Sequence, residues 1–85
     1  MKSLTSAKFW AAYKALPPEI KQAARKTYRL WLSNPRHPSL HFQTKGKYWA
    51  VRVTRGYRAL AVAIPDGYLW FWIGTHDAYE RILAG

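Results

Sequence analysis

The sequence predicts an α+β fold, with two N-terminal helices packed on an antiparallel sheet of three to four strands and a short C-terminal helix. Three observations predict it. Apolar residues recur at helical spacing as far as Asn34, and from Ser39 onward the period changes to two. Two turn dipeptides, Arg55-Gly56 and Asp66-Gly67, then cut the second half into strand-length runs. With 85 residues there is room for one core, so residues 1–85 are read as one domain; a chain this short buries only about 60% of its unfolded surface. The 49% hydrophobic and 16% aromatic content excludes a disordered chain, so the charge must decorate a packed body.

Thr5 or Ser6 can cap the first helix, whose apolar positions are Phe9, Trp10, Tyr13 and Leu16. Leu16-Pro17-Pro18-Glu19 ends it, because a residue before proline avoids the helical region, while Pro18 and Glu19 suit the first turn of a second helix. There Ile20, Ala23 or Ala24, Thr27 and Trp31 make one stripe, and Lys21, Arg25 and Arg29 make another. Asn34-Pro35 stops it. Ser39 to Thr44 reads as a weak first strand, followed by Tyr48 to Thr54, Tyr57 to Ile64 and Tyr68 to Thr75. The run from Tyr57 is apolar on both faces apart from Arg58, which makes it a central strand. Asp77 caps a last helix over Ala78 to Leu83.

Charge is the most informative bulk property. Fourteen Lys and Arg stand against four Asp and Glu, a net of +10, with a pI near 10.3. Residues 1–47 hold ten of the basic residues and only Glu19, so the first half carries +9. Such a field attracts polyphosphate or an acidic protein. There is no cysteine for a disulfide or a thiolate site, and Lys8 interrupts any leader-like apolar run between Leu4 and Phe9. The apolar stretches are strand-sized, too short to span a bilayer. The expectation is therefore a cytoplasmic protein with no membrane contact.

Metal catalysis needs several ligands at one place. Glu19, Asp66, Asp77 and Glu80 belong to different elements except for the last two, whose plainer reading beside His76 is helix capping and a surface pair; no metal site is expected. The glycines form no phosphate loop and the serines no nucleophile elbow, so no cofactor is implied. Lys45, Lys47, Arg52, Arg55 and Arg58 crowd one hairpin among Tyr48, Trp49 and Tyr57, a mixture that holds phosphates and stacks unpaired bases. For the aromatics, Trp49, Trp70 and Trp72 included, packing is the preferred reading. Arg58, a charge inside the most apolar strand, needs a partner or a function. Among the histidines, His37 reads as a loop residue, His41 is evenly balanced between loop and site, and His76 lies where the last strand leaves the sheet.

Taken together, "LPPEI", "NPRHPSL", "YWAVRVTRGYRALAVAI" and "WFWIGTHDAYERIL" resemble the RelE/ParE superfamily of toxins from type II toxin–antitoxin systems, over nearly the whole chain from Thr5. The resemblance implies helices on a curved sheet and a ribosome-dependent, metal-independent messenger-RNA endoribonuclease in which the ribose 2′-hydroxyl is the nucleophile. It implies that Arg58 stabilises the phosphate, that His76 transfers a proton and that Tyr79 assists. Lys45, Lys47, Arg52 and Arg55 fall in the RNA-contacting region, and the implied partners are an acidic antitoxin, the ribosome and messenger RNA, with the oligomeric state left open. A glutamate used as base by some relatives is absent between residues 35 and 47, which leaves His41 or His37 in its place. The relatives' strand before the helices is missing or reduced to Lys2 to Leu4. Two alternatives stand beside the nuclease: a gyrase-inhibiting toxin of the same fold, and a non-catalytic basic RNA-binding module. One conflict is geometric. Two-residue turns at Arg55-Gly56 and Asp66-Gly67 set residue 58 opposite 53 and 75, and strict alternation then puts Arg58 and His76 on opposite faces.

Overall fold

Ser6, not Thr5, starts the first helix: its side chain accepts from Phe9 N at 3.1 Å, and α1 spans Ala7–Lys14 in this computed structural model, which describes residues 1–85. α2, Pro18–Ser33, opens on the double proline as expected and turns Trp31 inward. Its indole, 1% exposed, meets Phe42, Tyr68 and Trp70 edge-on at centroid distances of 5.2–5.7 Å, the arrangement ring quadrupoles favour. This aromatic cluster, with Leu16, Leu40, Val51, Ala59, Ala61 and Ile73, is the core beneath the helices.

The sheet has five strands, a correction to the three or four expected. They are β1 Lys2–Thr5, β2 Gln43–Lys45, β3 Tyr48–Thr54, β4 Tyr57–Ile64 and β5 Gly67–Thr75, in the order β1-β5-β4-β3-β2. β1 pairs parallel to β5, so the sheet is mixed rather than antiparallel throughout. The strand before the helices is thus present. It is held by its ladder, by Lys2 N donating to Asp66 O at 2.6 Å, and by Ser3 Oγ accepting from Tyr28 Oη and Trp70 Nε1.

The weak strand expected over Ser39 to Thr44 is also corrected. Pro38–Leu40 is a 3-10 turn capped by His37, His41 is left-handed at φ 47°, and Leu40 and Phe42 face the core as loop anchors rather than as alternate residues of a strand. The β4–β5 loop is Pro65-Asp66, one residue earlier than expected; Asp66 takes φ 65°, and a Cβ at Gly67 would run into the Lys2 backbone.

Both long ladders carry a bulge. Arg52 pairs with Arg58 and Thr54 with Tyr57, leaving Val53 extra; Leu60 pairs with Trp72 and Ala61 with Trp70, leaving Phe71 extra. A bulge resets which face the later residues meet. Hence Trp70 and Ile73, three apart, both reach the core below α1 and α2, while Phe71 and Trp72 both pack on the other side with Leu60 and Ala50. That second face is covered by α3, His76–Ala84, through Tyr79, Ile82 and Leu83. α3 begins two residues before the expected Ala78, and its cap is Thr75, which accepts from Ala78 N at 3.2 Å; Asp77 lies in its first turn.

Candidate functional site

The bulges remove the geometric conflict. Arg58 lies opposite Arg52 on one side and Gly74 on the other, so it points to the α3 face, and the chain turns into α3 at His76, two residues beyond Gly74. His76 N donates to Gly56 O at 2.8 Å, which fastens the start of α3 to the β3–β4 turn beside Arg58. Residues far apart in sequence are thereby gathered at the N-terminal end of α3: Arg52, Arg58, His76, Tyr79 and Glu80.

Arg58 is braced. Its Nη1 donates to the carbonyl oxygens of Thr54, Tyr57 and Arg55 at 2.7, 2.9 and 3.2 Å. Nη1 has only two N–H groups for these three carbonyls, so one is shared, while Nε and Nη2 bond to nothing within the chain and present a planar edge suited to two oxygens of one phosphate. Burial first, then the like charge of Arg52, pull the Arg58 pKa below its ordinary value, while Tyr79 and Glu80 oppose them. Two guanidiniums facing each other across a ladder repel. An anion between them would relieve that repulsion.

Tyr79 is 5% exposed and its ring lies 5.4 Å from that of His76, centroid to centroid. Burial, then the charge of Glu80, raise its pKa, with Arg58 opposing. The phenol therefore keeps its proton at neutral pH and is available as a donor to an anion such as phosphate. His76 is partly exposed, and its Nε2 sits 3.3 Å from Glu80 Oε1.

Lys45 and Lys47 mark the other end of α3. With Tyr48, Ile82 and Leu83 they line a hollow of about 360 Å³, and Lys47 Nζ stands 5.4 Å from the centre of the Tyr48 ring. A nine-residue helix is about 13 Å long, so one face of the molecule carries two basic groups separated by roughly the length of α3. Arg55 is exposed in the turn between β3 and β4. His41 is not part of this gathering: it is exposed after the 3-10 turn, and its side chain bonds to none of Arg58, His76 or Tyr79. His37 is engaged locally, its Nδ1 accepting from Ser39 N at 3.2 Å. Glu80, which reads from the sequence as one half of a surface pair, belongs to this gathering, and its i,i+4 spacing from His76 is the signal that points to it. Nowhere in the chain do three His, Asp or Glu side chains come together as metal ligands would.

No protein-family model and no curated protein matches the sequence. Solved structures share its backbone. A chain of the RelB–RelE antitoxin–toxin complex from Methanococcus jannaschii superposes with a TM-score of 0.67 at 15% identity, covering 93% of this chain and 96% of that one. YafQ from E. coli strain BL21(DE3) gives 0.69 at 15% identity, over 92% and 96%. A YoeB/ParE toxin from Agrobacterium tumefaciens gives 0.67 at 18% identity, over 89% and 99%. The chain has the RelE/ParE toxin fold, as its sequence resemblance implied.

Proposed function

We propose that this protein is the toxin of a type II toxin–antitoxin system and that it acts as a ribosome-dependent, metal-independent messenger-RNA endoribonuclease. The observation that carries the reading is the convergence of Arg58, Arg52, His76 and Tyr79 on one face, which the two bulges and the α3 tether produce. RNA would lie along α3 from Lys45 and Lys47 to this cluster. The 2′-hydroxyl attacks the adjacent phosphorus, the bond to the 5′-oxygen breaks, and a 2′,3′-cyclic phosphate and a 5′-hydroxyl result. Arg58 and Arg52 offset the charge that develops on the phosphate, Tyr79 donates to one of its oxygens, and His76 exchanges a proton with the attacking or the leaving oxygen. The fold shared with a chain of the RelB–RelE complex supports the toxin reading, and the cluster favours a nuclease over a gyrase inhibitor or a passive RNA binder.

A partner is part of the proposal. Between α1, α2 and the sheet runs a groove of about 570 Å³, walled by Trp10, Tyr13, Tyr28 and Trp31 and rimmed by Arg25 and Arg29. Trp10 and Tyr28 are 46% and 39% exposed, a cost that an apolar helix or strand from an acidic antitoxin would remove. Co-purification with the product of the adjacent gene tests this half, and failure both to bind and to reverse growth inhibition would exclude it. For the chemistry, primer extension on messenger RNA with and without ribosomes is expected to show cuts only on ribosomes. Inhibition in a gyrase supercoiling assay without any cut would replace the reading.

A further inference from the structure

The resemblance leaves the proton-transfer machinery one carboxylate short, since no glutamate occurs between residues 35 and 47. The chain has only four acidic side chains. Glu19 lies in the first turn of α2 and Asp66 in the β4–β5 loop, so Asp77 and Glu80 alone share an element with His76. Glu80 is one helical turn beyond His76, and the two side chains meet, with Nε2 3.3 Å from Oε1.

That contact has a consequence for the imidazole. The backbone of His76 is fixed by the Thr75 cap and by the bond from its N–H to Gly56 O, and its ring lies against Tyr79. A carboxylate can only accept, so a neutral ring facing it carries its proton on Nε2 and leaves the lone pair on Nδ1. An outer partner of this kind orients a histidine, sets its tautomer and steadies the cation it becomes.

We propose that Glu80 is the positioning residue for His76 and that Nδ1 of His76 is the atom that takes the 2′-hydroxyl proton. This rests on the nuclease reading. As the O2′–P bond forms and the P–O5′ bond breaks, the proton of O2′ passes to Nδ1, and water protonates the leaving O5′. The imidazolium, its Nε2–H still held by Glu80, afterwards returns the Nδ1 proton to water. Tyr79 and Glu80 on α3 are the ionisable groups against the ring, with Asp77 next to it in the helix and Arg58, whose charge is felt by Tyr79, on the sheet. Glu80 is the acceptor in contact with Nε2.

Two readouts test this, one of them independent of activity. Nitrogen-15 chemical shifts of the neutral His76 ring in the parent protein should show the Nε2–H tautomer. Glu80→Ala should give a tautomer mixture, with single-turnover cleavage of ribosome-bound messenger RNA slower by roughly 10–100-fold, the scale seen when outer partners of histidines are removed. Glu80→Gln, which keeps an accepting oxygen but not the charge, should fall between. Ribosome affinity and melting temperature should hardly move, because Glu80 is 60% exposed. An unchanged tautomer in Glu80→Ala overturns the positioning role. A shifted tautomer with parental cleavage overturns the assignment of Nδ1. A parent that cuts nothing overturns the nuclease reading and this step with it, while the ring spectra still show whether Glu80 sets the tautomer.

Discussion

Arg58 combines two roles that a substitution can separate. Its Nη1 braces the β3–β4 turn through three carbonyls, and its remaining N–H groups face the site. Losing the brace should cost about 2–3 kcal/mol rather than the sum of three charged bonds, because each bond replaces one to water and because burial and Arg52 already disfavour the charge. Arg58→Ala should therefore stay folded, its melting temperature down by about 4–8 °C for each kcal/mol. Cleavage should fall roughly 10²–10³-fold, the scale for one lost transition-state donor. Arg58→Lys should recover part of the rate, since a point charge cannot span two phosphate oxygens. Melts and single-turnover rates on the same samples decide it, and a folded Arg58→Ala that cuts at the parental rate would remove Arg58 from the mechanism. Tyr79 gives a prediction in pH. Its pKa in the folded chain is raised above the ordinary 10.0, by burial and then by Glu80. The native state thus keeps a proton that the unfolded chain gives up, so its contribution is complete below that value and is lost as pH rises through the folded pKa. Denaturant midpoints should decline above about pH 10, and Tyr79→Phe should lessen that decline.

At the scale of the element, α3 presents the site and Thr75 starts α3. Thr75→Ala removes the bond to Ala78 N and should cost about 1 kcal/mol. The loss should be local: amide exchange over residues 76–80 should quicken more than in β4, whereas equal quickening in both would mean that α3 and the sheet open together. The sequence made the elements with strong punctuation legible. The double proline, the Arg55-Gly56 turn and the Trp31 stripe each correspond to a structural boundary or face. β1 was only half legible, as a strand missing or reduced to Lys2 to Leu4, because Lys2–Thr5 has one apolar residue, Leu4, half-exposed, and exists through pairing with a strand about sixty-five residues away. The bulges were not legible, because Val53 and Phe71 are ordinary strand residues whose extra place is set by packing on both faces of the sheet. For the same reason Arg58 stood out as a charge in an apolar strand, yet its alignment with Arg52 and its approach to α3 could not be counted from turn dipeptides alone.

Across the whole molecule, eight of the fourteen basic residues fall into two sets on opposite sides of the sheet. Lys21, Arg25 and Arg29 lie on α2, on the helical side of the sheet, whereas Lys45, Lys47, Arg52, Arg55 and Arg58 belong to the β2–β3–β4 side that meets α3. If only the second set contacts substrate, a short single-stranded RNA should feel about five phosphate contacts, and the slope of log affinity against log salt should be about −3 to −4, at ~0.7 per contact. Replacing Lys45 and Lys47 with alanine should reduce the slope by roughly 1.4, with cleavage chemistry on saturated ribosomes little changed, since neither lysine touches the cluster at the head of α3. Replacing Arg25 and Arg29 should leave that slope alone and weaken the acidic partner instead, because these two rim the apolar groove. Each pair thus serves as the control for the other, with filter binding over a salt series as the measurement. Equal slope changes from both pairs would mean that RNA wraps the molecule without preference, and a flat dependence in the parent would point to an apolar protein target and to the gyrase-type alternative.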